Sequence, residues 1–578
     1  MHLESQPGKS RVILLILTAL ALYLLGLEIL ELRGSDEAIY AELARALANS
    51  RSPLNFTIQG VPVQTFPLYP WLVSIFSGLR APTVWSLRLP AVLSVFGLAA
   101  LAAWTANFLK DRLAAFVAAS VVLFSYATLR TCLHAQTEIV HAFLLSAAWF
   151  SWYYLGPQRQ RWATAWGTAL GLVFLDVLTV GSKAILLFYL PYFFARKPPQ
   201  LRRQMQSSAH WLCLCVFILL LIVWFKFTGN QPFWSWDDLC RLTAPPYRQG
   251  FFRHLCTFPL KTIFYLLPWS FFAWVPFCEA HRQFEPSGSS PHFFRTVITV
   301  NTLLYWLMPS GSPLNLLPLL GPLAVLIGFH FEIASRRYYR FYSLLIQIQG
   351  WLTMLTVAAV TFVCLAPRDI FLAPEVMSRL GEIPAYCRPP ITLLALLPVV
   401  FLSVKYLLNR RAMSQLSLSA CLILAVLVSR LSVIAAIMPL ESACHDLRRH
   451  HGLQLANVVP PDDKQKDQKP DYRKISPKEL PPTIYLHSRY AFLTETFYLR
   501  RQIIRLANPA QELKPTEEVV FLLSPRLPAA PSWNWEPVSP QISLTKKGIT
   551  KNASTADQHL RLYRGVLKQK PAPEEVEP

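Results

Sequence analysis

Residues 31–71 read ELRGSDEAIYAELARALANSRSPLNFTIQGVPVQTFPLYPW. The stretch follows directly on the apolar run VILLILTALALYLLGLEIL and carries Asp36 and Glu37 a few residues beyond its end. An acid just outside a membrane helix stays ionised while remaining within reach of a substrate at the interface. Further along, Ile39, Leu43, Ala46 and Leu47 recur at helical spacing, with Glu42 and Arg45 on the other side. That is the pattern of a helix lying along the bilayer surface. Residues 31–87 are therefore expected to form a catalytic outer loop with its acids held at the interface.

With 53% hydrophobic and 15% charged residues among 578, the chain is too apolar for a soluble protein and too long for one small bundle. Apolar runs long enough to cross a bilayer lie near 11–30, 88–109, 113–130, 137–155, 162–180, 183–195, 210–228, 258–278, 293–309, 314–332, 343–366, 391–408 and 416–438, about thirteen in all. The first follows Lys9 and Arg11 and reads as an uncleaved signal anchor. The expected fold is an α-helical polytopic membrane protein.

A net charge of +22 would point to nucleic acid in a soluble domain. Here the cations sit in short loops between apolar runs, as the positive-inside rule expects, so no nucleic-acid partner is expected. With the N-terminus in the cytoplasm, the inner loops carry Lys110 and Arg112; Arg159 and Arg161; Arg196, Lys197, Arg202 and Arg203; Arg282; Arg336, Arg337 and Arg340; and Lys405, Arg410 and Arg411. The same orientation puts Asp36, Glu138, Lys183, the 229–257 loop and the tail outside, in a plasma (inner) membrane protein. The ten cysteines show no CxxC pair and no zinc spacing, and Cys213, Cys215 and Cys364 lie inside apolar runs. Cys240 and Cys256 share one outer loop, either paired or free.

Residues 1–439 thus form the expected membrane domain, and composition changes beyond it. Residues 440–482 are charged and proline-rich, as a linker is. Within 483–567, TIYLHS and EEVVFLLS read as buried strands and FLTETFYLRRQIIRLA as a helix between them, giving a small outer α/β domain. Residues 568–578 are expected to be disordered.

The ordered series GSDEAIYAELARAL, QGVPVQTFPLYPW and SLRLPAVLS, followed by the weaker LTVGSKAILLFYLP and MPSGSPLNLLPLLGPLA, resembles the GT-C glycosyltransferases, in particular the aminoarabinose transferases and protein O-mannosyltransferases. The TETFYLRR stretch is also similar to the tail domain of these transferases, though with low specificity. The resemblance implies the GT-C fold, about thirteen crossings with an outer C-terminal domain, and transfer of a sugar from a polyprenyl phosphate carrier at the outer face. The implied acceptor is a lipid, glycan or protein.

Under that resemblance Asp36 is the catalytic base, placed to take a proton from the acceptor or orient it. Glu37 either orients Asp36 or binds a metal. Glu138, at the outer start of the fourth crossing, stands where relatives have a second acid, although the helix dipole alone also favours an acid there. His134 and His141 flank Glu138, leaving two readings: a divalent-metal site at Glu138 and His134, or ordinary packing and surface histidines. The leaving phosphate needs cations. Lys183, Arg88 of SLRLPAVLS, and Arg248 and Arg253 of the loop WSWDDLCRLTAPPYRQGFFRHL are the candidates, with Arg241 and Lys261 beside them. That loop also fits an aromatic belt with snorkelling arginines.

The chain departs from the family pattern where relatives carry an Arg, a Glu-Lys pair and two further lysines. Ile39, Gln64 with Thr65, Val180 and Gly311 stand there instead. Lys183, three residues after Val180, is a candidate replacement for one lost cation. The rival readings are a non-enzymatic transporter or flippase of lipid-linked sugars, with Asp176 as its intramembrane acid, and a catalytically inactive family member.

Overall fold

Among the described residues, three stretches, Val84–Leu109, Trp162–Val180 and Leu314–Ala334, are helices long and apolar enough to cross a membrane, and Arg112–Leu123, Lys183–Phe194 and Ser208–Trp224 are shorter apolar helices. The structure is a computed structural model. It describes Tyr23, Leu24 and Leu27, most of 32–338 apart chiefly from 196–200, 229–244 and 308–312, three positions between 340 and 355, and in the tail most of 481–487, 497–513, 519–539 and 559–568, with Ile542 and Ser543. The crossings expected over 343–366, 391–408 and 416–438, most of the first, the 440–482 linker and the closing 569–578 lie outside the described residues.

In chain order the main elements are α1 (Gly34–Ser50), the hairpin strands β1 (Thr57–Ile58) and β2 (Val61–Pro62), α2 (Leu68–Phe76), α3 (Val84–Leu109), α4 (Arg112–Leu123), α5 (Tyr126–Cys132), α6 (Thr137–Tyr153), α7 (Trp162–Val180), α8 (Lys183–Phe194), α9 (Ser208–Thr228), α10 (Pro245–Tyr265), α11 (Ser290–Leu307) and α12 (Leu317–Arg337). The tail adds β3 (Thr483–Leu486), β4 (Gln502–Arg505), β5 (Val519–Ser524), β6 (Trp533–Pro537), β7 (Ile542–Ser543) and β8 (His559–Leu567). Two compact units result. One comprises 1–30, 64–76 and 84–439; the other joins 31–63 and 77–83 to 440–578.

In the first unit, helices bury a common apolar core. Trp152 is fully buried in it, with Trp166 at 5.5 Å and Tyr192 at 4.6 Å between ring centroids, so α6, α7 and α8 lock through aromatic edges. Elsewhere small residues permit close approach. A Cβ at Gly328 of α12 would overlap the Ala114 carbonyl of α4, and one at Gly321 would meet Ser146 of α6 at 2.7 Å.

Two expected crossings are interrupted. The run over 113–130 breaks at Phe124 and Ser125. There the Ser125 hydroxyl lies 2.7 Å from that of Thr128 and accepts from its backbone N–H, starting α5 afresh. The run over 258–278 begins earlier, because Pro245 and Pro246 open α10 inside the expected outer loop, where proline at a first helical turn forfeits no hydrogen bond. After α10 come only the short turns Ser270–Ala273 and Val275–Phe277.

The tail sheet has strand order β4-β3-β5-β8-β6, with β3 parallel to β4 and β5, and β8 antiparallel to β5 and β6. β7 pairs with β8 beyond the end of β6. TIYLHS and EEVVFLLS supply β3 and β5 as expected. The helix expected over FLTETFYLRRQIIRLA does not extend to its end, because residues 502–505 are β4. The adjacent β-branched Ile503 and Ile504 suit a pleated ladder, which runs Thr483 to Leu486 against Gln502 to Arg505, and Ile503 enters the tail core. This is an α/β domain, attached to an α-helical polytopic membrane domain.

Candidate active site

Gly34 opens α1, so Asp36 falls in its first helical turn. Glu37, Ala38, Ala41, Leu43, Ala44 and Leu47 are all buried. Glu42 and Arg45 are buried as well, which corrects the expectation that they form an outward polar face. They form an ion pair at 2.6 Å with side chains 5% and 6% exposed. Arg45 also reaches the tail: Nη1 donates to the Arg501 carbonyl at 3.2 Å and Nη2 to that of Phe497 at 3.1 Å. The guanidinium also lies 5.5 Å from the centroid of the Phe497 ring. Burial pushes the Glu42 carboxyl above its ordinary value, and the Arg45 charge offsets this only in part.

The other candidates lie in the membrane unit. α7 ends at Gly181, whose φ of +77° suits glycine, and Lys183 opens α8 two residues later. The Lys183 ammonium donates to Asn315 Oδ1 at 3.4 Å and lies 5.3 Å from the centroid of the Tyr305 ring. Its charge also acts on Asp176, one turn before the end of α7. Asp176 is paired with His141 of α6, and Glu138 stands three residues earlier in the first turn of that helix. The start of α6, the end of α7, the start of α8 and the 313–316 turn are thus gathered at one end of the bundle.

Arg88 is fully buried in α3, its Nη1 donating to the Leu27 carbonyl at 2.7 Å. Arg248 and Arg253 belong to α10 rather than to a loop, with Arg253 exposed, as is Lys261. Arg241 lies outside the described residues. His134 is buried at the α5–α6 connection. Among the described residues no group of three or more His, Cys, Asp or Glu is close enough to hold a metal ion, and His141 is committed to Asp176. Sequence reasoning missed Tyr305 and Asn315 as neighbours of Lys183. Asn315 is a polar residue in an apolar run, a signal in itself, whereas Tyr305 in LLYWL carries none.

No family model matches the chain, and no curated protein matches it by sequence. Solved structures do. The chain is similar to ArnT from Cupriavidus metallidurans bound to undecaprenyl phosphate, with a TM-score of 0.66 at 14% identity over 96% of this chain and 98% of that one. The apo state of the same protein matches with a TM-score of 0.64 at 14% identity over 96% and 97%. Over nearly its whole length, then, this multi-pass membrane protein shares the fold of those ArnT structures, completed by a small C-terminal α/β domain.

Proposed function

We propose that the protein is a glycosyltransferase that moves a sugar from a polyprenyl phosphate donor to a lipid, glycan or protein acceptor at the outer face of the membrane. The observation that carries this reading is Lys183. It opens a helix at the bundle end that gathers Glu138 and Asn315, three residues from where relatives carry their lysine, in a chain with the fold of a protein crystallised with undecaprenyl phosphate. In the reaction the acceptor oxygen attacks the anomeric carbon as the bond from that carbon to the phosphate oxygen breaks. The bonding pair leaves on the phosphate, where Lys183 balances the growing charge, with Arg88, Arg248 and Arg253 as further cationic candidates. The acceptor proton passes to Asp36, oriented by Glu37, and attack from the side opposite the leaving group inverts the configuration. Glu138 is the second acid. The N-terminus is cytoplasmic and the tail domain extracytoplasmic.

Ile39, Gln64, Thr65, Val180 and Gly311 keep a second reading in play, a catalytically inactive member of the same fold. Mass spectrometry of membrane lipids and envelope glycans with and without the gene, followed by transfer assays in nanodiscs with undecaprenyl-phosphate-linked sugars, separates the two. Loss of one sugar modification, reconstituted by the purified protein, supports transfer. No change in any glycan and no turnover with any donor overturns it.

A further inference from the structure

The segment that carries Asp36 and Glu37 is fastened to the tail domain at two points, both within residues 497–505. The first is Arg45, about two and a half turns along α1 from Asp36. Its guanidinium binds Glu42 on its own helix and the Phe497 and Arg501 carbonyls, which are 452 and 456 residues away in sequence. Only a planar fork of donors serves three acceptors in different directions at once; a lysine ammonium on a single flexible stem does not hold that arrangement. The second point is the β1–β2 turn. Gln59 and Gly60 both have positive φ, +53° and +83°, as a type I′ hairpin turn requires. The Gln59 carbonyl accepts from the Arg505 N–H at 2.8 Å, on the edge strand β4. A Cβ at Gly60 would stand 3.3 Å from Ile504 Cγ2, so glycine serves both the turn and the close approach.

We infer that Arg45 is a positioning residue: by docking α1 onto the tail domain it holds the helix that presents Asp36 and Glu37, making the tail a working part of the catalytic loop. The positioning role rests on the function proposed above; the docking does not. A helix anchored through a buried side chain keeps its pitch only while that side chain's contacts to Glu42 and the two tail carbonyls persist. Leaving the Glu42 carboxylate and two carbonyls without partners costs the docked state directly.

The test uses the full-length protein in nanodiscs, comparing wild type, Arg45→Ala, Arg45→Lys and Gly60→Val. Hydrogen exchange is followed by mass spectrometry, and kcat and donor KM are measured in parallel. Expected for Arg45→Ala is a loss of amide protection over 34–50 of about tenfold or more, with α3 and α7 unchanged, and a fall in kcat of at least about tenfold with donor KM nearly constant. Arg45→Lys and Gly60→Val should shift both readouts in the same direction. Should Arg45→Ala not fold, those two variants decide the matter. Wild-type protection over 34–50 in every folded variant overturns the docking. Lost protection with wild-type kcat overturns the positioning. Failure of the proposed reaction itself looks different: the wild type shows no turnover, while the exchange measurement still reports on the docking.

Discussion

His141 Nδ1 lies 2.8 Å from both carboxylate oxygens of Asp176, with the two side chains 1% and 0% exposed inside apolar helices. Neither group is tolerable alone there. A lone buried charge costs several kcal/mol, and here the imidazole and the carboxylate satisfy each other by hydrogen bonding. Asp176 is also the acid on which a transporter reading would rest, and it is held in a fixed pair.

Removing one partner should therefore be worse than removing both. Asp176→Leu or His141→Leu alone is expected to destabilise the membrane unit by roughly 3–5 kcal/mol, whereas the double apolar variant should recover most of that loss. Thermal unfolding of the detergent-solubilised protein reads both, and additive losses in the double variant would contradict the pairing.

Asp36→Asn should abolish transfer while donor binding persists, since the amide keeps the shape but cannot take the proton. General-base assistance is typically worth about 10² to 10⁴ in rate, far beyond the effect of a modest stability change. Near wild-type turnover in single-turnover assays would remove α1 from the catalytic centre.

Lys183→Ala should weaken donor binding as well as rate, because the donor phosphate is charged in both ground and transition states. The loss of one charge-assisted contact corresponds to a donor affinity reduced about 10- to 100-fold. Titration of the variant with a polyprenyl phosphate checks this; unchanged affinity would place the donor phosphate elsewhere.

The docked α1 should loosen as pH rises. Burial raises the Glu42 carboxyl above the ordinary 4.5, so the folded state binds the proton more tightly than the unfolded state. The resulting stabilisation is full below pH 4.5 and lost as pH climbs through the raised value. Amide protection over 34–50, corrected for intrinsic exchange, should decline across that window in the wild type and stay flat in Glu42→Gln.

Orientation is checked by labelling intact cells with a membrane-impermeant maleimide. A cysteine at Ser35 and the native Cys240 should react, while one at Gln200 stays protected. Strong labelling at Gln200 would invert the topology and move the proposed site to the other face.

The helices were legible where the physics is local. A bilayer demands about 20 apolar residues per helical span, and α3, α7 and α12 satisfy it by composition alone. Cations cluster in alternate loops for an equally local reason, and the short apolar runs of β3 and β5 announce buried strands. The ordered acid, aromatic and proline series around Asp36 resembles the GT-C enzymes, and the solved ArnT structures share the fold.

What the tertiary structure decided is every property that depends on partners distant in sequence. By periodicity Glu42 and Arg45 belong on a wet helix face. They are buried because carbonyls from 497 and 501 arrive to satisfy the guanidinium, and no pattern within 31–71 encodes that. QIIR read as the end of a helix and became β4 because the edge of β3 offers a complete parallel ladder, more than helix propensity alone supplies. His141 flanks Glu138 three residues away on one helix, yet it turns to Asp176 on the next. A helix face is chosen by what packs against it, and that choice is made only once the chain has folded.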